Sequence, residues 1–313
     1  MNKNSKIYIA GHRGLVGSAI KRKLKEENYS NLVFRTREEL DLLNGNKVDG
    51  FFKKEKPEYV FFAAAKVGGI LANDTYPADF IYQNLVIQNN IIHNSYLNKV
   101  KKLLFLGSSC IYPKKCPQPI KEEYLLSGYL EETNRAYAIA KIAGIEMCQS
   151  YNKQYKTNFI SVMPTNLYGP NDNFNLKNSH VLPALIRKFH EAKINNNNLV
   201  VIWGSGLPRR EFLHVDDLAG ACLFLMENYD DSEIVNIGTG EDITIFELAE
   251  LIKNIIGFKG NIICDKNKPD GTLHKLLDVS KINQIGWSYN ISLEVGIEKT
   301  YKWFLDNYNM VRK

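Results

Sequence analysis

The sequence predicts an α/β protein: a doubly wound parallel sheet with a smaller C-terminal α/β lobe. Short, continuously apolar runs recur through the first half, separated by stretches of helical spacing. Parallel strands buried on both faces give that pattern. A glycine triplet, Gly11, Gly14 and Gly17, lies between the first such run and the first helical stretch. The chain has 313 residues, 44% hydrophobic and 24% charged, an ordinary globular composition with length for a large core and a second lobe.

Taken in order, Ile7–Ala10 reads as the first strand, and helical spacing runs from Leu15 to about Glu27. Leu32–Phe34, Tyr59–Ala63, Lys102–Leu106 and Phe159–Val162 read as further strands, with helices over about 78–98 and 135–153 between them. Beyond Pro164 the loops lengthen and gain Asn and Gly, the residues of turns. There the pattern predicts a helix over His180–Ala192, a strand over Leu199–Ile202, and helices near 215–227, 244–256 and 292–306. The expected division is a dinucleotide domain over 1–165, with segments of about 195–240 partly returning to it, and a substrate lobe over 166–313.

The formal net charge is +6, which suits an anionic partner. The cations are scattered in short pairs such as Lys101-Lys102 and Arg209-Arg210, so nucleic acid is not expected. Five cysteines with no CxxC pair exclude a disulfide framework or a zinc site, and no metal is expected. No secretory leader and no apolar run of membrane-spanning length is present, so the expected setting is a reducing cytoplasm with free thiols.

The segment Gly11-His12-Arg13-Gly14-Leu15-Val16-Gly17 follows a strand and opens a helix. Glycine there permits a tight turn and close backbone approach to a pyrophosphate, which faces the helix's free N–H groups. This is a Rossmann-type signature. The second strand ends Phe34-Arg35-Thr36-Arg37 with no acid. An acid there binds the 2′-hydroxyl of NAD, whereas arginine accommodates the 2′-phosphate of NADP. The expectation is NADP(H), with Arg13, Arg35 and Arg37 as its cations.

Of 17 tyrosines only Tyr137 has a lysine four residues on, Lys141. That spacing places both on one helix face, where the ammonium is expected to lower the phenol's pKa for proton transfer. The fourth strand ends in Gly107-Ser108-Ser109-Cys110.

The glycine loop, the serine and Tyr-x-x-x-Lys resemble the extended short-chain dehydrogenase/reductase family. In that family serine and tyrosine hydroxyls hold the substrate's carbonyl oxygen and the lysine touches the nicotinamide ribose; the match gives Ser108, Tyr137 and Lys141. Longer stretches over essentially the whole chain, above all Gly107–Pro113 and Asn178–Val181, resemble one branch of it, the GDP-L-fucose synthases. That branch epimerises C3 and C5 of GDP-4-keto-6-deoxy-D-mannose and reduces C4 with NADPH, giving GDP-L-fucose. The resemblance implies Cys110 and His180 as the epimerisation acid/base pair. It places Ser109, Asn166, Lys188, Trp203, Arg210 and Asp270 at the GDP-sugar. Asp41 and Leu42 fall near the adenine, Ala63, Ala64, Ala65, Leu106 and Gly107 along the cofactor, and Pro164, Thr165, Asn166, Leu167 and His180 near the nicotinamide. Lys188 departs from the branch, where arginine is frequent; lysine keeps the charge and loses the bidentate fork. The branch forms homodimers, here through the helices at 78–98 and 135–153.

Three other readings remain at this point. A GDP-sugar 4-reductase would need neither Cys110 nor His180. A 4,6-dehydratase would carry an acid near the serine, and no carboxylate occurs from Gly107 to Pro119. A non-catalytic NADPH sensor has no need of Ser108, Tyr137 and Lys141 together.

Overall fold

The computed structural model describes residues 1–176, 178–268 and 270–311. Its first half runs β1 (Ile7–Ala10), α1 (Leu15–Glu26), β2 (Leu32–Val33), α2 (Gly45–Glu55), β3 (Tyr59–Phe62), α3 (Ile70–Thr75), α4 (Pro77–Leu97), β4 (Lys102–Leu106), α5 (Arg135–Tyr155) and β5 (Phe159–Pro164). The second half runs β6 (Asn166–Tyr168), α6 (Val181–Ile194), β7 (Leu199–Trp203), β8 (Arg209–His214), α7 (Val215–Asn228), β9 (Val235–Ile237), β10 (Asp242–Thr244), α8 (Ile245–Ile256), β11 (Asn261–Asp265), β12 (His274–Lys275), α9 (Ser280–Ile285) and α10 (Leu293–Asp306).

Six parallel strands form the main sheet in the order β2-β1-β3-β4-β5-β9. The chain winds one way from β1 to β2 and the other way from β3 onward. The switch point lies between β1 and β3, where open α/β sheets bind ligands at the strands' C-terminal ends. Residues Ile7, Ile9, Phe61, Leu104 and Ile160 pack one face against α1 and α7. Tyr8, Val60, Phe62, Leu103 and Phe105 pack the other against α2, α4 and α5. The lobe has its own core, with Phe189, Leu248, Ile252 and Phe304 at its centre.

Of the segment over about 195–240, α7 and β9 return to the main sheet, whereas β7 and β8 stay in the lobe. β7 pairs with β11 inside the lobe, and β8 is flanked there by β6, β10 and β12. Only α7, β9 and then α9 come back. The alternating exposure of β7 explains this: Leu199, Val201 and Trp203 face outward, which a strand covered on both faces does not tolerate. β9 is buried throughout and carries Asn236, which accepts from the Tyr112 hydroxyl at 2.6 Å and donates to the Ile120 carbonyl at 2.9 Å. Lys102, buried at the start of β4, locks α7 in place. Its ammonium donates to the carbonyls of Leu225 and Tyr229 and to Asp230, taking up carbonyls that a helix end leaves free.

Candidate active site

The glycine loop closes tightly on β3. Gly11 has φ +86°, and a Cβ there would lie 2.8 Å from the Ala64 nitrogen; one on Gly17 would lie 2.2 Å from the Gly11 carbonyl oxygen. Gly14 meets nothing closer than 3.5 Å and is the side-chain-free N-cap of α1. The first N–H groups of α1 therefore open onto a groove with no side chain in front of them, a cradle that fits a dinucleotide pyrophosphate. Ala63, Ala64 and Ala65 flank it, each partly accessible.

Around this groove His12 is buried with its ring 4.7 Å from that of Phe34. Arg35 does not stand free at the strand end. Its guanidinium donates to Glu55 at 2.6 Å and to the Phe34 carbonyl at 2.8 Å. Arg37 is exposed, and Arg13, also exposed, lies 4.0 Å from Glu38. Asp41 accepts from the Leu43 N–H and the Leu42 carbonyl accepts from Asn90, so both are fixed in the turn that follows.

At the end of β4, a Cβ on Gly107 would strike the Met163 sulfur at 2.4 Å, so only glycine lets the chain turn there. It turns into a short 3-10 segment, Ser109–Ile111, in which the Ser108 hydroxyl accepts from the Cys110 N–H at 3.4 Å. The same hydroxyl holds down the pKa of both the Cys110 thiol and the Tyr137 phenol against their burial. α5 approaches β4 closely because Gly144 sits against the Phe105 ring. Lys141, buried, donates to the Leu106 carbonyl at 2.6 Å, with its ammonium 5.8 Å from the centre of the Tyr137 ring. Burial pulls its pKa down to about 8. Burial also raises the Tyr137 phenol, and Cys110 adds to the rise against the opposing Ser108 hydrogen bond. The expected lowering of Tyr137 by Lys141 is not found: burial and Cys110 raise the phenol, and Ser108, not Lys141, opposes them.

His180 comes from the other lobe. It is the N-cap of α6 and Ser179 is not, the Ser179 hydroxyl being buried without a partner. The imidazole is accessible on the cleft wall yet set deep among protein groups. Burial lowers its pKa, and Lys275 lowers it further. Thr165 and Asn166, beyond β5, both donate to the Glu211 carbonyl, at 3.3 and 2.8 Å, and Leu167 lies partly buried beside them.

Four of the residues expected at the GDP-sugar fall into two pairs. Lys188 donates to the Val201 carbonyl at 2.9 Å and sits 5.6 Å from the centre of the half-exposed Trp203 ring. Asp270 accepts from the Ser205 N–H at 2.6 Å and hydroxyl at 2.9 Å, and its charge reaches Arg210. Sequence reasoning missed Lys268, 5.5 Å from the Trp203 ring centre, and Lys275, which β12 sets beside Arg210. It also missed Glu211. This carboxylate, wholly buried, accepts the N–H groups of Thr239, Gly240 and Leu277 and so ties two loops to β8. Each of these depends on contacts between distant parts of the chain, and no local spacing announces them. Among the described residues no cluster of His, Cys, Asp and Glu could hold a metal ion, and no helix is long and apolar enough to cross a membrane.

Comparison with known proteins agrees with this geometry. A GDP-L-fucose synthase of Arabidopsis thaliana is 61% identical over 98% of this chain and 95% of its own length. An NADP-bound GDP-L-fucose synthetase from Naegleria fowleri superposes with a TM-score of 0.94 at 34% identity, covering 100% of this chain and 96% of its own. An NADP-bound GDP-mannoheptose C4 reductase from Campylobacter jejuni gives 0.89 at 47% identity over 97% and 99%. The profile of the NAD dependent epimerase/dehydratase family matches residues 7–238. With its glycine loop, its serine, tyrosine and lysine, and most of its length so matched, the chain belongs to the NAD dependent epimerase/dehydratase family.

Proposed function

We propose that this protein converts GDP-4-keto-6-deoxy-D-mannose to GDP-L-fucose, epimerising C3 and C5 and reducing C4 with NADPH. The observation that carries the reading is the shared Ser108 hydroxyl. One hydroxyl holds down the pKa of both the Tyr137 phenol of the reductase set and the Cys110 thiol of the epimerase pair, so both chemistries meet at one carbonyl.

C3 and C5 flank the C4 ketone, and their protons become acidic when the enolate oxygen is stabilised. Ser108 and Tyr137 supply hydroxyl donors for that oxygen, backed by the Lys141 ammonium. Inversion needs one group to remove a proton and another to return it on the opposite face. Cys110 lies on the dinucleotide domain and His180 on the lobe, so the two approach the sugar from different walls. NADPH, when bound, supplies the hydride for C4. As that bond forms, the carbonyl electron pair moves onto oxygen, which takes the Tyr137 proton. Lys188, Lys268 and Arg210 suit the diphosphate and Trp203 a flat ring.

The similarity to the Campylobacter C4 reductase supports a second reading, reduction without epimerisation. NADPH oxidation with GDP-4-keto-6-deoxy-D-mannose, followed by product identification by NMR, separates the two. GDP-L-fucose is the expected product. A product with C3 and C5 unchanged removes the roles of Cys110 and His180, and absence of turnover overturns the enzyme reading.

The working form is a homodimer through α4 and α5, whose exposed Tyr82, Leu97, Ile139 and Tyr155 offer an apolar helical face. A monomer mass at working concentration overturns that assembly. Five free thiols suit a reducing cytoplasm.

A further inference from the structure

Lys275 is a half-buried cation without a partner among the described residues. Its side chain lines a cavity of about 30 Å³ together with Ser109, Cys110 and Tyr112. No hydrogen bond or ion pair among the described residues takes up its ammonium, and burial lowers its pKa. A charge partly withdrawn from water in this way gains from an anion. Glu211 is near, but its carboxylate is spent on three backbone N–H groups. The other groups whose charge Lys275 feels are Cys110, Cys116, Arg210 and His180. Arginine repels it and His180 gains nothing from a neighbouring cation. The thiols remain.

The Cys110 sulfur faces the Ser108 hydroxyl, the Tyr137 phenol and two cations, Lys141 and Lys275. Lys141 is anchored on the Leu106 carbonyl beside Tyr137. Lys275 is therefore the cation left for the sulfur. We propose that Lys275 is a positioning residue for epimerisation: its ammonium stabilises the Cys110 thiolate, which takes the proton from the carbon beside the ketone. In that step the C–H bond breaks, its electron pair forms the enolate, and the proton passes to sulfur. Burial alone drives the thiol upward, and Lys275 is the largest influence opposing it. The same ammonium disfavours a charge on His180, so at both groups it favours the proton-free form, against a burial that keeps the thiol above its ordinary value.

This rests on the proposed function for its meaning, but its first test needs neither substrate nor cofactor. Iodoacetamide reacts with thiolate, and peptide mass spectrometry reads each cysteine separately. In Lys275→Met, Cys110 alkylation slows about tenfold near neutral pH, as a thiol pKa raised by about one unit requires. Cys116 slows in the same direction, Cys264 keeps its rate, and Lys275→Arg restores Cys110. With GDP-4-keto-6-deoxy-D-mannose and NADPH present, deuterium incorporation falls while the KM for NADPH holds. Wild-type reactivity of Cys110 in Lys275→Met, with Cys264 normal, overturns the proposal. A raised KM for the GDP-sugar with Cys110 reactivity unaltered also overturns it and gives Lys275 to the diphosphate. If the methionine variant unfolds and every thiol reacts at once, Lys275→Gln is read by the same criteria.

Discussion

The backbone N–H of Gly69 donates to the carbonyl of Asn178 over 3.0 Å, tying the loop after β3 to the turn that presents His180. Asn73 braces that loop by donating to the carbonyls of Gly68 and Gly69 at 2.8 and 3.0 Å. A Cβ on Gly69 would lie 2.7 Å from the Ser179 carbonyl oxygen, so Gly69→Ala pushes the His180 turn outward. Misplacement of about 1 Å costs up to a hundredfold in a positioned reaction. Solvent deuterium incorporation at the epimerised carbons is expected to fall about tenfold or more, with NADPH affinity unchanged. Equal loss of both would mean that the alanine merely disturbs the fold.

Cofactor selectivity is expected to reside in Arg37 and Arg13 and not in Arg35, which Glu55 already holds. Arg37→Ala should raise the KM for NADPH about tenfold or more and leave that for NADH nearly unchanged, the loss of one charge-assisted contact. Arg35→Ala should chiefly lower the melting temperature, by the roughly 1 kcal/mol of a half-exposed ion pair. A selectivity for NADPH that survives Arg37→Ala overturns the assignment.

Lys141 is expected to give the reduction an alkaline limit. With its pKa pulled down to about 8, the lysine is an ammonium below that pH and loses its charge above it. kcat/KM for ketone reduction is expected to fall as pH rises through about 8, the free enzyme's titration being what that parameter reports. Lys141→Arg, which does not titrate there, should abolish the descending limb, at lower absolute rate. A limb at the same pH in the arginine variant assigns it elsewhere.

Asp172 imposes a dependence of the same sense on stability. One of its oxygens is buried without a partner, the other accepts the Asn173 N–H at 2.7 Å, and burial raises its pKa to about 7. The raised value means that the fold prefers the neutral acid. Its contribution is intact below the unfolded value near 4 and is lost as pH climbs toward about 7. Asp172→Asn should therefore stabilise the protein by about 1–3 kcal/mol at about pH 8 and by little at about pH 4, read from urea midpoints. A gain equal at both pH values would place the effect outside ionisation.

The sequence made the fold legible where one element carried its own signal. β1 to β5 are continuous apolar runs, and Tyr137 with Lys141, or Ser108 with Cys110, are close neighbours along the chain. β9 was invisible because it is three residues long and one is Asn236, polar inside a buried sheet and satisfied only by Tyr112 and Ile120. α2 lay hidden in a Lys- and Asn-rich stretch whose buried residues are only Val48, Phe51 and Phe52. Arg35 was read by position at a strand end, but Glu55, twenty residues away, decides where it points. Gly69, Glu211 and Lys275 meet their neighbours only across the fold, so no local spacing marks them. Lys188, Trp203, Arg210 and Asp270 were reachable by resemblance and by no pattern internal to the chain.

The late return of the chain to its first sheet has a consequence for biosynthesis. β5 finds its outer neighbour only when Val235–Ile237 arrives, and α7 is pinned by Lys102 across more than a hundred residues. During translation the nascent dinucleotide half must wait, with one face and one edge uncovered, while β6 to β8 emerge. A fragment cut at residue 165 would keep that bare edge permanently, a template for association with other strands. The two halves are therefore not separable parts.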